Sequence, residues 1–143
     1  MQTTSQEETF LLARQLAARA VQGQVYALNG DLGAGKTVFA QGFASGLGIS
    51  EPVSSPTFTL IHEYEDGRIP LYHFDVYRIG NEEEMEEIGY EDYFYGNGVT
   101  LVEWGCLIEG LLPADVITVT IDKDPQKGDC FRRIRIEGMP VFS

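Results

Sequence analysis

Residues Gly30-Asp31-Leu32-Gly33-Ala34-Gly35-Lys36-Thr37 constrain this chain more than any other stretch. They match the pattern G-x-x-x-x-G-K-[ST]. A short apolar run at 25–28 precedes them, and a helix-like run at 36–47 follows. A strand that turns through glycines into a helix points the backbone N–H groups of the turn inward, and the helix dipole adds positive potential at the same spot. Such a concavity takes a polyphosphate. Glycine at 30, 33 and 35 lets the backbone approach phosphate closely or adopt positive φ. Asp31, Leu32, Gly33, Ala34, Gly35, Lys36, Thr37 and Val38 are therefore the expected nucleotide-binding run. Lys36 would reach the β- and γ-phosphates, and the Thr37 hydroxyl would ligate Mg²⁺.

Periodicity supplies the rest of the frame. Phe10, Leu11, Ala13, Leu16, Ala17 and Ala20 recur at helical spacing over 5–20, with Ser5 and Glu8 as a capping box and Gly23 as the stop. The helix after the loop carries Phe39, Phe43 and Leu47 on one face and is expected to end at Gly46 and Gly48. A proline-punctuated loop at 51–56 leads to two strands, 57–64 and 69–77, joined across Asp66-Gly67 as a hairpin. Asn81 caps a short acidic helix at 82–88, and a tyrosine-rich stretch (Tyr90, Tyr93, Phe94, Tyr95) packs on the core. A second buried strand at 99–102 ends at Glu103-Trp104-Gly105. A short helix at 107–111 follows, closed by Pro113. Strands at 116–121 and 131–136, separated by a polar turn, finish the pattern. Strands mixed with helices and opened by a strand–loop–helix unit imply an α/β fold, a three-layer sandwich of the P-loop NTPase type. Its central sheet is mixed, with a parallel core and antiparallel edge strands.

The 143 residues suit a single domain, 1–143, and carry no apolar run long enough to span a bilayer. Nothing at the start of the sequence reads as an export signal, and two widely separated cysteines suggest reducing surroundings, so the expectation is a cytoplasmic protein without a membrane partner. Ten Lys plus Arg stand against 22 Asp plus Glu, for a net charge of −12. One of the ten is Lys36, within the loop. Tight direct binding to nucleic acid draws on Lys and Arg to neutralise phosphates, so this balance disfavours it.

A nucleotide site of this type needs a second Mg²⁺-directed acid at the tip of a neighbouring buried strand. Glu103, closing the run Thr100-Leu101-Val102, fits that place. Its length suits contact through water, against the bland alternative of a solvated strand end. In Tyr72-His73-Phe74-Asp75-Val76-Tyr77-Arg78, alternation puts His73, Asp75 and Tyr77 on one face. Asp75 is either a general base or Mg²⁺ partner, or part of a structural cluster with Arg78 or His73. Ser54-Ser55-Pro56-Thr57-Phe58 is a candidate switch loop with Thr57 as its contact. Trp104, the only tryptophan, either reports nucleotide state or belongs to the core. Among the C-terminal arginines, Arg133 and Arg135 share a face and Arg132 points the other way. One of them contacts the nucleotide, or all guard an edge strand. The acidic run at 82–87 reads as a solvated face.

The order of four signatures is similar to the TsaE family, the small bacterial ATPases of the pathway that makes threonylcarbamoyladenosine beside the tRNA anticodon. They are the loop at 30–37, then Ser55-Pro56-Thr57-Phe58, then His73-Phe74-Asp75-Val76-Tyr77-Arg78, then Leu101-Val102-Glu103-Trp104-Gly105. The resemblance spans nearly the whole chain. It implies slow ATP hydrolysis with Mg²⁺, and action with TsaD, which transfers the threonylcarbamoyl group, and TsaB, which scaffolds TsaD. On that view tRNA is engaged only indirectly. The resemblance also implies that Lys36 binds phosphate, that Thr37 and Glu103 hold Mg²⁺, and that Asp75 serves hydrolysis. The adenine side would be contacted from the start of the first helix, around Ser5 to Glu8, and from Arg132 or Arg133.

Two other readings share the loop. A small-molecule kinase of this build needs an arginine-rich lid. Between Lys36 and Lys123 the only basic side chains are Arg68 and Arg78. A nucleotide-dependent interaction module would bind ATP without useful turnover.

Overall fold

The computed structural model describes residues 2–30, 35–53, 61–77 and 82–138. The elements run β1 (Gln2–Thr3), α1 (Gln6–Ala18), β2 (Val25–Asn29), α2 (Lys36–Gly46), β3 (Ile61–Tyr64), β4 (Leu71–Asp75), α3 (Glu82–Glu87), α4 (Tyr90–Phe94), β5 (Val99–Glu103), a 3₁₀ stretch (Gly105–Leu111), β6 (Ile117–Lys123), a 3₁₀ turn (Pro125–Lys127) and β7 (Arg132–Glu137). Seven strands form one sheet in the order β1-β7-β6-β2-β5-β4-β3. Its centre, β6-β2-β5-β4, is parallel, and the β3–β4, β6–β7 and β1–β7 pairs are antiparallel. The expected mixed α/β architecture is therefore the observed one.

Alternation along the buried strands builds a core on each face. Tyr26, Leu28, Leu71, Val99 and Leu101 join the cluster under α1 and α2. Val25, Phe74 and Val102 join the cluster under α3, α4 and the 3₁₀ stretch. On the first face Phe39 and Phe43 are fully buried, with Tyr26 edge-on to Phe43 at 4.9 Å between ring centroids. Side chains of this size contribute about 1.5–3 kcal/mol each on full burial.

Several local details differ from the sequence expectation. Ser5 does cap α1, accepting the Glu8 N–H, but Glu8 returns to the Thr4 N–H and hydroxyl rather than to Ser5. Those bonds hold the Glu8 carboxyl below its ordinary value. α1 stops at Ala18, short of Gly23, and its last carbonyls find a partner 50 residues away. The Arg68 guanidinium, carried by the β3–β4 hairpin, donates to Ala17, Ala18 and Ala20 oxygens at 2.8, 3.3 and 2.8 Å. α2 ends at Gly46, as expected, with Leu47 as its cap and Gly48 at a φ of +82° just beyond. A Cβ on Gly42 would lie 2.3 Å from the Phe10 oxygen, and one on Gly46 2.3 Å from the Arg14 oxygen. These two glycines, one turn apart, let α1 lie directly on α2. That contact places the start of α1 beside the start of α2, where the phosphate loop enters its helix.

Candidate functional site

β2, β5 and β4 lie side by side and end at the same edge of the sheet. Register places Leu28 opposite Glu103, and Glu103 opposite Asp75. α2 starts at Lys36 after Gly35, whose φ of +100° is a conformation that side chains other than glycine rarely adopt. A cavity of about 340 Å³ opens at this edge. Gly35, Lys36, Thr37 and Val38 form one wall. Asp75, Glu103 and Trp104 come from the strand ends. Ser5, Gln6 and Thr9 close it from α1, and Cys130 and Arg132 from the approach to β7.

Most sequence candidates thus converge on one cavity although they are spread from position 5 to position 132. Asp31, Leu32, Gly33, Ala34 and Thr57 lie outside the described residues, as do Arg78 and Asn81. Arg132 and Arg133 separate. The Arg132 Nε lies 3.7 Å from the Cβ position of Gly35, and its Nη1 donates to the Asp129 and Phe131 carbonyls at 2.8 and 2.7 Å. Arg133 is exposed and does not line the cavity. Arg135 lies 3.7 Å from Asp122, both well exposed.

Lys36 is largely buried, and its Nζ donates to the Gly30 carbonyl at 2.6 Å. The same ammonium lies 3.5 Å from the centroid of the Trp104 ring system, a cation–π contact. Trp104 is the only non-glycine with positive φ among the described residues, at 63°. A bulky side chain pays about 1–2 kcal/mol for that backbone. Strain of this kind collects at functional sites. Tyr77 also packs against the Trp104 ring, with centroids 4.8 Å apart and planes tilted by 44°. Trp104 therefore lines the site wall while also packing, half-buried, against the core beneath α3 and α4.

The strand face around Asp75 is organised differently from the expectation. β4 ends at Asp75, whose Oδ1 accepts the Tyr77 N–H at 3.0 Å, so Tyr77 turns out of the strand. Asp75 does not pair with His73. The imidazole Nε2 instead lies 2.6 Å from Oε2 of Glu103, and both residues are buried. Burial holds the Asp75 carboxyl above its ordinary value. The Glu103 charge adds to this, while the Tyr77 N–H, His73 and Lys36 act against it.

These groups form an all-oxygen donor set of hydroxyl and carboxylates beside a lysine and an arginine. Among the described residues no trio of His, Cys, Asp and Glu converges as a protein-only metal cage. The hydroxyl and carboxylate oxygens could hold Mg²⁺, which is commonly bound by one or two carboxylates together with phosphate oxygens and water. Sequence reasoning missed Thr9 and Cys130, while Gln6 falls within the stretch from Ser5 to Glu8 that the family resemblance implied. Thr9 lies one turn beyond Ser5, which was the only available signal; its hydroxyl is 2.7 Å from that of Thr3. No described helix is long and apolar enough to cross a membrane.

Comparison with known proteins agrees with this geometry. The family model described as threonylcarbamoyl adenosine biosynthesis protein TsaE matches residues 3–134. The tRNA threonylcarbamoyladenosine biosynthesis protein TsaE of Bacillus subtilis (strain 168) is 54% identical over 121 residues, 85% of this chain and 75% of that protein. The protein of the same name from Treponema pallidum (strain Nichols) is 46% identical over 100 residues, 70% of this chain and 73% of that one. The crystal structure of Bacillus subtilis YdiB superposes with a TM-score of 0.80 and 47% identity, covering 94% of this chain and 80% of that one. A match along 3–134, relatives near half identity and a shared fold lead to one conclusion: the chain belongs to the TsaE family.

Proposed function

We propose that the protein binds ATP with Mg²⁺ at the β2–α2 edge, hydrolyses it slowly, and thereby serves threonylcarbamoyladenosine modification of tRNA in the cytoplasm. The carrying observation is the convergence of Lys36, Thr37, Asp75, Glu103 and Arg132 on one cavity at the start of α2. In this reading Lys36 leaves the Gly30 carbonyl and the Trp104 face to take phosphate. Thr37 and Glu103 hold Mg²⁺, which supplies charge neutralisation between the phosphates. Asp75, beside Glu103, orients the attacking water, and Arg132 neutralises charge from the opposite wall.

The bound partners would be TsaD and TsaB, with tRNA held by them. An acidic chain with a net charge of −12 suits a component that does not grip RNA itself. ATP binding and hydrolysis would bias the state of that pair, as nucleotides bias other switches. The test is phosphate release measured with and without TsaD–TsaB, alongside modification of unmodified tRNA. Release stimulated by the partners is expected. Transfer of the γ-phosphate to a small acceptor would replace this reading with a kinase, and binding without turnover under any condition would leave an interaction module.

A further inference from the structure

His73 stands in a costly position for a residue with no task. It is 0% exposed, and among the described residues its Nδ1 has no hydrogen-bond partner. A buried ring nitrogen left unpaired is penalised, where Phe or Leu at the same strand position would carry no such penalty. Its hydrogen bond among the described residues is at Nε2, 2.6 Å from Oε2 of Glu103.

Sheet register explains how the two meet. Asp75 is opposite Glu103 and His73 is opposite Leu101, so the imidazole reaches Glu103 diagonally, from one pleat repeat back. An ionised carboxylate only accepts, so Nε2 carries the hydrogen and donates it. Glu103 lines the cavity; His73 does not. A glutamate held by such a bond loses rotamer freedom before any ligand arrives. Partners of this type behind a metal-binding group are worth about 10–100-fold in metal affinity.

We propose that His73 is a positioning residue: by donating from Nε2 to Oε2 it fixes the Glu103 carboxylate in the orientation that receives the Mg²⁺ of the nucleotide complex. This rests on the ATPase reading above. His73 touches neither nucleotide nor metal, so its effect must pass through Glu103.

The experiment compares wild-type, His73→Phe and His73→Gln full-length protein by calorimetric titration of ATP at a series of Mg²⁺ concentrations, including excess chelator. His73→Phe keeps the volume and removes the donor. Its affinity for metal-free ATP should stay within twofold of wild type, while half-saturating Mg²⁺ rises about tenfold or more. His73→Gln, whose amide nitrogen reaches where Nε2 stands, should recover most of that loss. An unchanged Mg²⁺ requirement in folded His73→Phe would overturn the proposal. So would equal losses with and without Mg²⁺ that Gln fails to rescue, because that is scaffold damage.

Should His73→Phe not fold, the nitrogen-15 spectrum of the wild-type imidazole decides. A proton on Nε2 in a strong hydrogen bond is expected, and a proton on Nδ1 alone refutes the arrangement. Wild-type ATP binding indifferent to Mg²⁺ would overturn the parent reading and this one together. A normal wild-type response with an unaltered His73→Phe response sinks the His73 role alone.

Discussion

Asp75→Asn should make the protein more stable and, on the proposed ATPase reading, slow phosphate release. Asp75 ends β4 beside Glu103, and burial first, then the Glu103 charge, hold its carboxyl above the ordinary value. A raised folded-state value means that the native protein binds this proton more tightly than the unfolded chain does. Ionised Asp75 therefore costs native stability, and the full cost is present above the folded-state value, including neutral pH. The cost fades as pH falls through the folded-state value and is gone below the unfolded one, about 3.9. Asparagine keeps the shape and the oxygen that accepts the Tyr77 N–H, and it carries no charge. Asp75 is only partly buried, so water screens the effect and the gain should stay below ~1 kcal/mol. For a domain of this size that is at most about 2–4 °C in Tm. Circular-dichroism melts of both proteins without Mg²⁺, from pH 4 to 8, measure it. The variant should melt higher at pH 7, and the two curves should approach each other toward pH 4. Adding Mg²⁺ and ATP should raise the wild type more, and phosphate release should fall in the variant with little change in ATP affinity. A variant that melts lower than wild type at pH 7 without Mg²⁺ would refute the reasoning, because attraction between Asp75 and Lys36 would then outweigh desolvation and the Glu103 repulsion.

Four further substitutions probe other walls of the site and its support. Lys36→Ala removes a charge-assisted phosphate contact and should weaken ATP binding by roughly 10–100-fold in calorimetry; unchanged affinity would remove Lys36 from the phosphate site. Arg132→Ala should raise the ATP dissociation constant by about tenfold while Arg133→Ala leaves it unaltered, since only Arg132 lines the cavity; the reverse pattern would mean that nucleotide approaches from the other face of β7. Gly42→Ala would place a methyl 2.3 Å from the Phe10 carbonyl oxygen and should cost ~1–3 kcal/mol by pushing α1 off α2. A thermal melt within 1 °C of wild type would show that the helices separate without penalty.

The elements with strong local signals were legible in the sequence. α1 announces itself by 3.6-residue spacing and a capping serine, the β3–β4 hairpin by Asp66-Gly67, and β2 by an apolar run before a glycine-rich loop. The two-residue β1 carries no periodicity at all; it exists because β7 offers an edge to pair with. The glycines of α2 have a second role for a related reason. Gly46 ends the helix, as its sequence position suggests, but only when α1 is laid across it does the missing side chain become a packing requirement. Alternation places Tyr77 on a strand face, but Asp75 captures its N–H and the strand ends two residues earlier.

The site divides along the same line. Lys36, Thr37 and Glu103 were legible because each sits at a fixed offset from a local motif, so no tertiary information was needed. The choice between Arg132 and Arg133 needed two facts together: strand alternation, which the sequence contains, and the side of β7 that meets α1, which it does not. The His73–Glu103 pair needed more still. The residues are 30 apart, on different strands, and meet only diagonally, so a shift of one residue in the β4–β5 register would send His73 to the opposite core. That dependence has a physical consequence. The orientation of Glu103 is tied to the register of two buried parallel strands, which the Phe74 and Val102 side chains lock on the far face. Packing beneath α3 and α4 therefore sets the aim of a carboxylate on the other side of the sheet, and core substitutions there should alter the response to Mg²⁺ before they alter the affinity for metal-free nucleotide.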